Sequence, residues 1–135
     1  MRAWIEFSPV PVETPLTRWV HASVDGLPWY YASTFDPPLP RRVIGRGWPV
    51  WVVAHRGREL RFASRAEIEH AIDVLGGKVL PRPSTLVPRS EGWDWGHANS
   101  HWLSRLNAAW RPWPVRQRLV AKLEKVVAEP LPAVA

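Results

Sequence analysis

Arginine and tryptophan are the residues of this chain whose type and spacing could do chemistry. Ten tryptophans stand among 135 residues, with a net charge of +6 and no cysteine. Each indole buries a large apolar area and carries one N–H that needs an acceptor. A chain this short has much surface per unit volume, so its core cannot easily hide ten such rings. Some of Trp4, Trp19, Trp29, Trp48, Trp51, Trp93, Trp95, Trp102, Trp110 and Trp113 therefore belong at a surface or an interface. Exposed rings beside Arg are the chemistry of nucleic-acid stacking platforms. They are also the chemistry of protein–protein hot spots.

Two constellations combine these residue types. The first is Arg41-Arg42-Val43-Ile44-Gly45-Arg46-Gly47-Trp48. Its glycines leave backbone amides accessible, and three Arg and one Trp lie within reach of one anion path. It is not a Walker loop, because it lacks Gly-Lys-Ser/Thr and a strand–helix setting. The second is an outward sheet face. Period-two alternation sends Trp4, Trp19 and Trp51 away from Ile5, Phe7, Val20 and Val52, and places Arg2, His21 and Arg61 beside the rings. The candidate nucleic-acid-binding residues are thus Arg41, Arg42, Arg46, Trp48, Arg58, Arg61, Trp4 and Trp19.

Metal and nucleophile chemistry are less well served. His97 and His101 stand at i, i+4, a spacing that metals use, with Asp94 as a third ligand candidate and Glu91 nearby. Gly96 and Asn99 interrupt that stretch, and no Glu lies between the histidines as it does in zinc proteases. A loop or helix-cap cluster is the expectation there, with no metal or other cofactor. There is no nucleophile elbow and no ordered triad signature. The absence of cysteine excludes disulfides, thiolate metal sites and a Cys nucleophile.

Charge is distributed unevenly. Residues 37–65 hold seven arginines against Glu59 alone, and residues 99–135 hold six basic against two acidic residues. The remaining segments are net acidic. Arg is the side chain suited to forked phosphate contacts and to stacking on planar groups. Met1–Val12 contains Glu6 and two prolines and no apolar run, so no signal peptide is expected. No apolar stretch approaches the roughly 18–20 residues of a membrane span.

The elements that must position these residues follow from pattern. Arg2 to Phe7 alternates as a strand. Thr17 to Val24 continues the alternation, Asp25-Gly26 supplies a type I′ turn signal, and Trp29 to Ser33 is the expected return strand. Asp36 to Pro40 is a proline-dense loop. Val50 to His55 and Glu59 to Phe62 form a second hairpin around Arg56-Gly57. Ser64-Arg65-Ala66-Glu67 is a capping box, so a helix runs over 64–75 with Ile68, Ala71, Ile72 and Leu75 inward and His70 on its solvent face. Gly76-Gly77 is expected to close it with a left-handed cap. Residues 77–98 show no periodicity. Asn99 or Ser100 can cap a short helix to about Leu106. Trp113-Pro114 opens the last helix, with Val115, Leu119, Leu123, Val126 and Val127 inward and Arg116, Arg118, Lys122 and Lys125 off that stripe.

Phe62-Ala63-Ser64 through Glu67 and His70, Leu75, and Lys78-Val79-Leu80-Pro81 form a further pattern. Asn99-Ser100-His101-Trp102-Leu103-Ser104-Arg105-Leu106, Pro112-Trp113 and Arg118-Leu119-Val120 complete it. The pattern resembles short proteobacterial proteins carried by mobile elements and prophages, a group with no activity to carry over. The resemblance spans about residues 60–125 and implies a bacterial, cytoplasmic setting near DNA.

The sequence as a whole predicts a single α+β domain over 1–130 with a frayed tail at 131–135. A mostly antiparallel sheet of about five strands in two hairpins precedes about three helices. The expected function is that of a small, basic, non-enzymatic accessory protein of a mobile element or phage-defence system. It binds DNA or RNA through Arg–phosphate contacts and surface Trp. The alternatives are a protein-binding module, inhibitor or assembly factor, using the same Trp and Arg, and a metal-dependent hydrolase or nuclease built on residues 91–101. A membrane partner is not expected.

Overall fold

The structure is a computed structural model that describes residues 1–86 and 101–131. It is an α+β fold with five antiparallel strands in two sheets and three helices after them. The larger sheet has the order β1 (Arg2–Ser8), β4 (Trp48–His55), β5 (Arg58–Phe62). A short helix α1 (Thr17–Val20) and a two-stranded ribbon of β2 (Ala22–Ser23) and β3 (Phe35–Asp36) lie between β1 and β4. Helices α2 (Arg65–Leu75), α3 (Pro83–Leu86) and α4 (Trp113–Ala128) follow, with 3₁₀ turns at Trp102–Arg105 and Ala108–Trp110. No helix among the described residues is long and apolar enough to cross a membrane.

The β4–β5 hairpin forms as its sequence predicts. Arg56 and Gly57 both have positive φ, 51° and 76°, the geometry of a two-residue primed turn that matches strand twist. Register then decides which side chains share a face. Ile5 lies opposite Trp51 and Trp51 opposite Phe62, while Trp4 lies opposite Val52 and Val52 opposite Arg61. Trp51 therefore points into the core and Val52 away from it, the reverse of the expected assignment. The core gathers Trp51, Val53 and Phe62 from the sheet, Ile68, Ala71, Val74 and Leu75 from α2, and Leu119 and Leu123 from α4. Both long helices thus cover one side of the sheet. Among the described residues, no helix packs on the side bearing Trp4, Glu6, Glu59 and Arg61, where Val50 and Val52 are nonetheless buried.

The first predicted hairpin is corrected. Thr17 to Val20 is a turn of helix, not strand. The chain curls here because Thr14 and Thr17, three residues apart, must bring both hydroxyls to the buried Glu67 carboxylate. Asp25-Gly26 is not a primed two-residue turn either. Gly26 has φ of 77°, but the Asp25 carboxylate accepts from the Leu27, Ser33 and Thr34 amides and holds a wide loop. Trp29–Tyr31 is a 3₁₀ turn within that loop, and the strand that returns to Ala22–Ser23 is Phe35–Asp36.

Helix α2 starts where the capping box places it. Ser64 Oγ accepts from the Glu67 amide at 3.1 Å, and Glu67 reaches back to the amide of Ala63. Its C-terminus differs from expectation: Gly76 has φ of −77° and remains right-handed. The buried Arg116 of α4 holds the chain as it leaves the helix, donating to the carbonyls of Leu75, Gly77 and Lys78. Arg116 is therefore on the inward stripe of α4 and not off it. Ile72 and Val115 are only partly buried, and Val74 takes the inward place on α2. His70 is also half-buried, with its Nε2 accepting from Trp102 Nε1 at 3.1 Å. The short helix to Leu106 is a 3₁₀ turn capped by His101; Asn99 and Ser100 lie outside the described residues.

Candidate functional site

Sequence reasoning named eight interface residues, and the fold separates them into groups. Arg41, Arg42, Arg46 and Trp48 stay together. The loop that carries them is folded rather than slack. Val43 is fully buried and pairs with Gly47, its amide donating to the Gly47 carbonyl at 2.7 Å. Gly47 has φ of 107°, and a Cβ there would lie 2.2 Å from the Ser8 carbonyl oxygen, so only glycine fits. The Arg46 and Gly47 amides both donate to the Val43 carbonyl. They are thus used inside the loop, and the expectation of open amides at these positions is corrected. The arginine side chains remain outward. Arg41 and Arg42 are exposed with no partner among the described residues, and Arg46 lies over the Phe7 ring at 5.5 Å.

Trp48 opens β4 opposite Ser8 and is half-buried. It lines a cavity of about 140 Å³ together with Trp29, Leu39, Pro40 and Pro11. The sequence pattern places Trp29 in a strand and does not bring it to this cavity. The available signal was Pro28 followed by three consecutive aromatics, which breaks period-two alternation. The same 3₁₀ turn holds Tyr30 and Tyr31 outward, 64% and 79% exposed. By contrast, no described Trp is fully exposed: Trp51, Trp102 and Trp110 are buried, and Trp4, Trp19, Trp29, Trp48 and Trp113 are half-buried. Trp93 and Trp95 lie outside the described residues.

Trp4 and Arg61 do share the sheet face away from the core, but that face is electrically balanced. Trp4 Nε1 donates to Glu6 at 2.9 Å, and Arg61 pairs with Glu59 at 3.1 Å and Glu6 at 3.5 Å. Glu6 has the same parity as Trp4 in β1, so this acid was legible in the pattern. His21 and Trp19 are not on this face. His21 is buried beneath α1, and the Trp19 ring tilts against His101 at 4.8 Å. Arg58 lies at the far end of the sheet. It pairs in register with His55, seven residues along β4 from Trp48, or about 23 Å at strand rise. It opens instead onto a cleft of about 430 Å³ with Arg105, Leu60 and Trp102.

Two further polar clusters could carry chemistry. Glu67, fully buried, accepts from Thr14, Thr17, Ser64 and the Ala63 amide. His21 Nε2 lies 2.8 Å from Ser64 Oγ, and its Nδ1 lies 2.8 Å from the Pro37 carbonyl. Serine, histidine and carboxylate thus meet, but Ser64 Oγ is held by the Glu67 amide and none of the three is more than 6% exposed. The arrangement closes the α2 N-terminus onto α1. The second cluster surrounds His101. Its Nδ1 accepts from the Leu103 amide at 3.1 Å, and burial, followed by the nearby His70, holds its pKa down to about 4. Asp94 and His97 lie outside the described residues, and among the described residues no three His, Asp or Glu side chains form a metal-ion cluster.

Comparison with protein-family models, curated proteins and solved structures finds no match to this chain. Among the described residues the surface carries exposed aromatic rings, Tyr30 and Tyr31, and exposed basic residues such as Arg41 and Arg42, consistent with a surface-interaction role.

Proposed function

We propose that the domain is a non-enzymatic nucleic-acid-binding protein that works through the Arg41–Trp48 loop. One observation carries this reading: Arg41 and Arg42 are exposed, without acidic partners among the described residues, on a loop that ends in a half-buried Trp, while Arg61 is neutralised by Glu6 and Glu59. Unpaired guanidinium groups are free to contact phosphate, and the ring beside them offers a stacking surface. The resemblance over residues 60–125 fits a bacterial mobile-element or prophage setting for such a protein.

The test is equilibrium binding of mixed-sequence oligonucleotides as salt is raised. Phosphate contacts release condensed counterions, so affinity should fall steeply with salt. The triple variant Arg41→Glu, Arg42→Glu, Arg46→Glu should fold normally and lose both affinity and salt dependence. Absence of binding to DNA and RNA at low salt would reject the reading. The exposed Tyr30 and Tyr31 favour one second reading, a protein partner docked on that turn. That reading predicts association that is insensitive to the arginine variant.

A further inference from the structure

We propose that the cleft between Trp29 and Trp48 is a slot for one unstacked nucleobase, so that the domain takes single-stranded nucleic acid in preference to duplex. This rests on the nucleic-acid reading above and deepens it. The cavity measures about 140 Å³. An apolar cavity of about this size accepts a single six-membered aromatic ring. Its lining includes two indoles and three prolines, Pro11, Pro40 and Pro49, together with aliphatic Val12 and Leu39.

The Trp29 indole, and the backbone that carries Trp48, are held before any ligand arrives. Trp29 Nε1 donates to the His21 carbonyl at 2.7 Å, and the ring packs edge-on against Tyr30 and tilted against Phe35. Trp48 is fixed at its backbone by strand pairing with Ser8. A preformed site loses less ordering entropy on binding than a mobile one. Polar groups then set which base fits. Trp48 Nε1 has no acceptor among the described residues. Glu13 lines the cleft, and only one of its carboxylate oxygens is engaged, by Tyr30 O–H at 3.0 Å. The other can accept an exocyclic N–H, as carboxylates do from cytosine N4. Thymine and uracil lack that amine.

Phosphates have a place as well. Leu39 and Pro40 form part of the wall, and Arg41 and Arg42 follow directly in the chain. In the proposed complex the backbone of the bound base lies near these two arginines. Bases within a duplex are stacked and paired, and reach such a pocket only by being flipped out.

The experiment titrates the intact protein with oligo(dC), oligo(dT) and a mixed-sequence duplex, following tryptophan fluorescence and affinity together. Oligo(dC) should quench fluorescence and bind several-fold tighter than oligo(dT), with the duplex weakest. Glu13→Gln should level the two homopolymers. Trp48→Leu should weaken oligo(dC) by roughly tenfold, the scale of one stacked base. Equal affinity for all three nucleic acids overturns the slot but leaves nucleic-acid binding standing, and this comparison needs no variant. Absence of any binding rejects both. Quenching by oligoproline, with none by oligo(dC), assigns the cleft to a proline-rich peptide and overturns the proposal.

Discussion

His21 shows how one side chain can fix its own charge state. The Pro37 carbonyl can only accept, so Nδ1 carries a proton. Ser64 has a single hydroxyl hydrogen and directs it to Glu67, so Nε2 must donate to Ser64 Oγ. The ring is then an imidazolium facing the Glu67 carboxylate at 3.5 Å. Burial opposes that charge, but the Glu67 and Pro37 hydrogen bonds and the Glu67 charge outweigh it, and the pKa is raised above 6.5. A raised folded pKa means that the unfolded chain releases its proton first. The stabilisation is complete below about 6.5 and is lost as pH rises through the folded value. The thermal midpoint should therefore fall in mildly alkaline buffer. In His21→Gln the midpoint should be lower throughout and lack that slope. An unchanged wild-type midpoint across this range would contradict the charged ring. His101 has the opposite sign: with a pKa of about 4, it withdraws stability as pH falls from about 6.5 toward 4. Glu67→Gln should cost about 3–5 kcal/mol, because it strands a buried cation.

At the scale of elements, α2 depends on its neighbours at both ends. Its start was legible in the sequence because a capping box is local: Ser64 and Glu67 find each other across one turn. Its end was not, because the donors come from Arg116, some forty residues later. The β4–β5 hairpin was legible for the same local reason. The segment over Thr17–Tyr31 was not, because its conformation is set by Glu67 and by the Asp25 carboxylate rather than by alternation. The candidate site divides in the same way. The Arg41–Trp48 loop was readable as one stretch of chain, whereas Trp29 joins it only through tertiary packing. Arg116→Ala should destabilise the fold on the order of 2–3 kcal/mol, as the carbonyls of Leu75, Gly77 and Lys78 lose their donors. Arg116→Lys should restore less than half of this, since one ammonium cannot reproduce the planar fork. Denaturant midpoints of both variants, with hydrogen exchange at the last turn of α2, would check the assignment. Equal stability of the Lys variant and wild type would rule out the fork.

The whole molecule carries basic charge at two ends of its sheet, and each end has an indole-lined cleft beside it, with Trp29 and Trp48 at one and Trp102 and Trp110 at the other. Arg41, Arg42 and Arg46 lie at the Trp48 end. At the His55 end, β1 begins, and Arg118, Lys122 and Lys125 line a shallow cavity with Met1. These three cations form one stripe of α4 and have no acidic partner among the described residues. A single strand that uses the loop alone makes about three phosphate contacts, which corresponds to a log–log salt slope near −2. A strand that also crosses to α4 would double the contacts and steepen the slope to about −4. The two ends are separated by about the length of β4, so a short oligonucleotide seated at Trp48 does not reach both. The expected slope is therefore the shallower one. Neutralising the α4 stripe as Arg118→Gln, Lys122→Gln, Lys125→Gln should leave affinity and slope for short oligonucleotides unchanged, while neutralising the loop removes about two units of slope. Loss of slope in the α4 variant would move the interface to the His55 end.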